Sequence, residues 1–101
     1  MNAFDVNAFD RTPGGKGYIR RLKGQGYIPG VIYNNNGESI PVSIESESIK
    51  RILNNNKEEI FLDINFRGEH IRTTVREVQR DPLSGDIQHI DLMPVGKKHL
   101  H

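Results

Sequence analysis

The feature that most constrains this chain is period-two alternation. Ile60, Leu62, Ile64 and Phe66 are separated by Phe61, Asp63 and Asn65, a pattern that buries one face of a β-strand and no face of a helix. The same period recurs in Phe4-x-Val6-x-Ala8, in Ile40-x-Val42-x-Ile44 and in Ile71-x-Thr73-x-Val75. Ile28 to Tyr33 is a short apolar run, and a last strand from about Gln88 to Val95 places Ile90 and Leu92 inward. Beyond Val75 the apolar parity shifts at Val78, which predicts a β-bulge near Arg76 and Glu77. Turn residues separate these segments: Asn34-Asn-Asn-Gly37, Arg67-Gly-Glu69 and Asp81-Pro-Leu-Ser-Gly-Asp86.

Two stretches break the period. Lys16 to Gly24 sets Tyr18, Ile19 and Leu22 at helical spacing and ends in Gly24 and Gly26. Ile49, Ile52 and Leu53 form a second stripe, with Ser46 expected as N-cap, Glu47 in the first turn and Asn54 to Asn56 as the stop. Mostly antiparallel strands with short helices predict an α+β chain that is mostly β, folded as a small barrel or strongly curved sheet. Residues 4–95 are expected to form one domain, with 96–101 a frayed C-terminal tail that includes His99-Leu-His101.

At 101 residues the chain buries roughly two-thirds of its unfolded surface, enough for one core without staples. Zero cysteines exclude disulfides, thiolate zinc sites and thiol catalysis. No apolar run approaches the ~18 residues of a membrane span, and the first ten residues hold two acids and no base, so a cytoplasmic protein without membrane contact is expected.

A formal net charge of +1 argues against a nucleic-acid partner until the charges are placed. Residues 11–33 contain Arg11, Lys16, Arg20, Arg21 and Lys23 and no acid. Glycines at 14, 15 and 17 permit close backbone approach, the helix from Lys16 directs its positive end at the same loop, and Tyr18, Tyr27 and Tyr33 flank the block. Adjacent arginines make forked hydrogen bonds to phosphates. Residues 11–17, rich in glycine and like charge, are expected to be mobile without RNA. Arg72 and Arg76, read as outward on their strand, would extend the patch.

Other chemistry is poorly supported. Gly14-Gly-Lys-Gly17 lacks the Ser or Thr and the earlier Gly of a phosphate loop, and Gly24-Gln-Gly26 meets Pro29 where a dinucleotide motif needs glycine. The histidines show no metal-ligand spacing within an element apart from the terminal pair, so neither metal nor cofactor is expected. Ser84, His89 and an aspartate compose a triad only on paper. A metal-free nuclease pairing His89 with His70 or Asp91 is the alternative enzyme reading, and a generic barrel whose basic loop meets another acidic partner is the alternative binding reading.

Three separated motifs occur in order: Arg11-x4-Lys16-Gly17-x2-Arg20-Arg21-Leu22-Lys23, Ile28-Pro29-Gly-Val-Ile-Tyr33, and Val78-Gln79-Arg80-Asp81-Pro82 with His89-Ile90-Asp91-Leu92. Together they resemble the bacterial large-subunit ribosomal protein family that binds 5S ribosomal RNA, whose longer members include the general stress protein Ctc. The resemblance runs from about Phe4 to Val95. It implies a six-stranded antiparallel barrel with two or three short helices, a structural and non-catalytic role in the large subunit, and a chain that is monomeric when free and otherwise meets 5S ribosomal RNA and neighbouring subunit components. It also implies RNA contacts at Arg11, Lys16, Arg20, Arg21, Tyr33, His89 and Asp91, with Lys23 standing where arginine is usual and with Arg76 and Gln79 on a strand the family uses. Asp81 departs from the family's frequent histidine.

Overall fold

The computed structural model describes residues 2–12, 16–34, 36–56 and 59–95. Six strands and two helices follow in the order β1 (Asn2–Asp10), α1 (Lys16–Gly24), β2 (Tyr27–Tyr33), β3 (Ser39–Glu45), α2 (Ser46–Asn55), β4 (Ile60–Phe66), β5 (Glu69–Arg80) and β6 (Ile87–Pro94). The strands close into a barrel in the order β1-β3-β2-β6-β5-β4. The expected six-stranded barrel is present, but it is not antiparallel throughout as expected: two of its six seams, β1 on β4 and β2 on β6, are parallel. Closure removes the exposed edges that an open sheet of this size would carry.

Inward positions follow the alternation. Val6 and Ala8, Ile28 and Ile32, Val42 and Ile44, Leu62 and Ile64, and Ile90 and Leu92 are buried. Thr73 is buried among them, and its hydroxyl donates to the Leu62 carbonyl at 2.9 Å, so the core keeps no orphan there. Ile49 and Ile52 of α2 join the same core from outside the sheet. Ser46 is not the N-cap of α2. That position falls to Glu45, which makes no side-chain capping bond, because β3 runs straight into the helix and Ser46 is already its first residue. The Ser46 N–H is satisfied by the Gly26 carbonyl at 2.9 Å.

The β4–β5 turn consists of Arg67 and Gly68, both at positive φ, between the paired residues Phe66 and Glu69. Two such residues match the right-handed twist of a two-residue hairpin. Arg67 is the one described non-glycine residue at positive φ; its guanidinium stacks on the Phe66 ring and forks onto Asp10.

The tightest constraint lies in the β2–β6 seam, which pairs only Gly30–Ile32 with Ile90–Leu92. A Cβ at Gly30 would sit 2.6 Å from the Ile90 carbonyl oxygen, 3.0 Å from Ile90 Cγ2 and 3.3 Å from Ile44 Cδ1. The first of these is backbone and has nowhere to go. Gly30→Ala should therefore destabilise the barrel by about 2 kcal/mol, as overpacking does, and lower the melting temperature by roughly 10 °C for a domain of this size. Thermal unfolding followed by circular dichroism checks this, and an unchanged melting temperature would show that the seam adjusts.

Candidate nucleic-acid interface

The bulge near Arg76 and Glu77 is present: the β5–β6 register slips between Val75 and Glu77. Two consecutive residues then oppose Asp91, and Arg76 is turned to the outer face beside Glu77. A second slip, between Gln79 and Arg80, leaves Gln88 as the extra residue of β6. The sequence carried a signal for it, since the buried Ile87 and Ile90 are three residues apart and not two or four. Between the two irregularities, Gln79 pairs with His89 and Glu77 with Asp91.

Four sequence-predicted residues converge there. The Tyr33 hydroxyl donates to Asp91 Oδ2 at 3.2 Å, and the Arg76 guanidinium lies 5.0 Å above the Tyr33 ring. His89 Nδ1 approaches Asp91 Oδ1 at 2.9 Å. That approach is too oblique for an aligned hydrogen bond and leaves the covered Nδ1 otherwise without a partner. Gln79, exposed on the neighbouring strand, completes a surface that offers amide, imidazole, carboxylate and guanidinium groups together.

Helix α1 supplies the cations. Leu22 is buried and Tyr18 and Ile19 are half-buried, and the helix packs against β2 with Arg20 and Arg21 exposed. Neither arginine makes a side-chain hydrogen bond or ion pair among the described residues. Lys16 opens the helix, and its side chain lies outside the described set. Lys23, half-buried, donates to Gln88 Oε1, and the Gln88 amide reaches Asp81 Oδ2 at 3.5 Å. This polar chain ties the end of α1 to the residue beside His89. Gln88 was missing from the sequence-based set because its role arises from the bulge.

Arg11 has a different position from the other cations. Its Nε donates to the Val42 carbonyl at 2.9 Å and its Nη2 to the Gly30 carbonyl at 3.0 Å, so the guanidinium is spent on β3 and β2. Burial pushes its pKa below the usual arginine value. Arg72 does not extend the basic patch. It forks onto Asp63 at 2.8 and 3.0 Å and lies over the Phe61 ring, on the β4 side of the barrel. Hydrogen bonds from Arg67 and Arg72 hold the Asp10 and Asp63 carboxyls below the ordinary carboxylate range. His70 pairs with Asn65 at the start of β5, nine residues before Gln79, so it stands roughly 30 Å from His89 along the strand and the two cannot act as an acid–base pair. Residues 13–15 of the basic loop and the tail 96–101 lie outside the described residues. Among the described residues no three acidic or histidine side chains gather as a metal site, and no helix is long and apolar enough to cross a membrane.

The sequence profile of the ribosomal L25p family matches residues 6–92, from the middle of β1 to β6. The chain belongs to the ribosomal L25p family. Its relatives include the large ribosomal subunit protein bL25 of Thermoanaerobacter sp. strain X514, 34% identical over 96 residues, which cover 94% of this chain and 47% of that protein. The bL25 protein of Alcanivorax borkumensis is 35% identical over 103 residues, covering 97% and 47%. That of Bacillus licheniformis is 32% identical over 90 residues, covering 89% and 43%. The chain thus spans about half the length of these L25p relatives.

The two bonds of Arg11 yield a prediction that separates it from Arg20 and Arg21. Arg11→Met should cost about 1–3 kcal/mol of stability by leaving two part-buried carbonyls short of a charged donor, measured as a lower urea midpoint. A variant as stable as the parent would show that water replaces the clasp.

Proposed function

We propose that this L25p chain is a non-catalytic component of the large ribosomal subunit, cytoplasmic and monomeric when free, that binds 5S ribosomal RNA through α1 and the outer face of β2, β5 and β6. The observation that carries the reading is the convergence of Arg76, Tyr33, Asp91 and His89 on one face. Linked to it through Lys23 and Gln88 is a helix with two arginines unpaired among the described residues. The names of its relatives, large ribosomal subunit proteins, support the same setting.

The chemistry divides the labour. Arg20, Arg21 and Lys16 meet phosphates, which fix position and carry no sequence information. Double-stranded RNA offers a shallow minor groove of 2′-hydroxyls and base edges, and an internal loop reshapes it. Asp91, oriented by Tyr33, accepts from a base amino group or a 2′-hydroxyl. The His89 imidazole lies beside it, and Gln79 both donates and accepts. A carboxylate facing phosphates alone would repel them, so its place at the centre of the cluster supports groove reading.

The nuclease alternative loses its His89–His70 form, since His70 is remote, and its His89–Asp91 form is tested by cleavage. The experiment that decides among the readings is a mobility shift of 5S ribosomal RNA with transfer RNA as competitor, the recovered RNA being checked for cleavage. Retention of the complex with intact RNA is expected; equal competition would favour a generic acidic partner, and cleavage an enzyme. Arg20→Ala and Arg21→Ala should each weaken binding to any RNA and flatten the dependence of log K on log salt by about 0.7–0.9. Asp91→Ala should weaken binding to 5S ribosomal RNA far more than to plain duplex, and equal losses would contradict its groove-reading role.

A further inference from the structure

The loop joining β5 to β6, Asp81 to Asp86, has used every main-chain donor it owns. Asp81 N–H donates to the Asp86 carbonyl and Gly85 N–H to the Asp81 carbonyl, both at 2.8 Å. Leu83 and Ser84 N–H groups both reach Asp81 Oδ1, at 2.8 and 3.3 Å, and Asp86 N–H reaches Ser84 Oγ at 3.1 Å. Pro82 has none to give. Arg80 Nη1 closes the set on the Gly85 carbonyl at 2.9 Å. The loop is therefore ordered before any partner arrives, and it has no N–H groups left to cradle a phosphate.

What it presents outward is Leu83, 97% exposed at the tip. The other large exposed apolar residues lie elsewhere: Phe9 in β1 packs edge-on against Tyr27, and Met93 stands near the end of β6. A lone leucine needs no explanation on a floppy loop. Here six hydrogen bonds fix its position, and its loop connects the strands that carry Gln79 and His89. The outward groups beside it, Asp86 and Pro82, are acidic and apolar, unsuited to RNA phosphates.

We propose that Leu83 is an apolar wedge that lies against the ribose and base surface of the RNA minor groove, extending the interface beyond His89. The inference rests on the RNA-binding reading above and adds a contact of a different kind. In DNA complexes side chains of this type press into minor grooves and against base steps, and the RNA minor groove is wide and shallow enough to admit one. A protein partner is the weaker candidate, because a docking surface of useful size needs hundreds of square ångströms of contiguous contact and this tip offers one side chain among polar neighbours. The carboxylates fit the same place: Asp81 is consumed within the loop, and Asp86 is free to accept from a 2′-hydroxyl or base amino group.

The test compares the parent chain with Leu83→Ala and Leu83→Met on 5S ribosomal RNA and on plain RNA duplex, across a salt series. Leu83 touches little of its own protein, so all three should melt alike. Leu83→Ala should bind 5S ribosomal RNA about tenfold more weakly, with an unchanged salt slope and an unchanged affinity for duplex, while Leu83→Met keeps most of the binding. Full affinity in Leu83→Ala, or a loss equal on both RNAs, overturns the wedge and leaves the RNA-binding reading standing. Unchanged RNA affinity with failed incorporation into the large subunit also overturns it, in favour of a protein contact. A parent chain that does not prefer 5S ribosomal RNA overturns both.

Discussion

The barrel depends on the absence of one side chain. At Gly30 the parallel seam between β2 and β6 draws two backbones together until a methyl group would meet the Ile90 carbonyl. A side chain there would have to push β2 and β6 apart or distort the seam. Across the seam, Tyr33 is carried within hydrogen-bonding reach of Asp91, although the two are 58 residues apart. The Gly30 carbonyl also accepts from Arg11, so the same residue anchors the end of β1. A packing constraint in the interior thus sets the geometry of polar groups on the surface.

The surface is organised by which charges are already neutralised. Arg67 and Arg72 are engaged by Asp10 and Asp63 on the β1–β4 side. Exposed pairs of this kind contribute little to stability, yet they remove both signs from the field that a polyanion would feel. Arg20 and Arg21 have no such partner among the described residues. A net charge of +1 therefore coexists with an uneven distribution: residues 11–33 carry five bases and no acid, while Asp10 and Asp63 are paired with arginines elsewhere on the barrel.

Much of this was legible in the sequence, for reasons that are local. The alternation of Ile60 to Phe66 matches β4 residue for residue, and the helical spacing after Lys16 matches α1, because burial of one face fixes both patterns. The parity slip at Val78 located the first bulge. The pairing of Arg76 with Tyr33 was not legible, since it needs the parallel seam, and periodicity cannot tell which strands become neighbours. Arg11 looked like its fellow cations, and only the fold reveals two carbonyls within its reach. Ser46 looked like a cap because its residue type favours one, but the strand entering the helix leaves no room for a capping turn. The candidate site residues came mainly from motif order, and geometry separates Arg11, held by two carbonyls, from the exposed Arg20 and Arg21.

The pairing of β1 also has a kinetic side. Its first six residues align in parallel with β4, with Asn7 hydrogen-bonded to Asn65 across 58 residues of chain. Contacts so distant in sequence are slow to form, and they reward the chain only after the intervening loop entropy has been met. During synthesis from the amino terminus, β1 must wait until β4 has left the exit tunnel. Through that interval the residues of α1, with their arginines, have been synthesised while the barrel is still open. Topology thereby orders in time the appearance of the basic segment and the closing of the sheet.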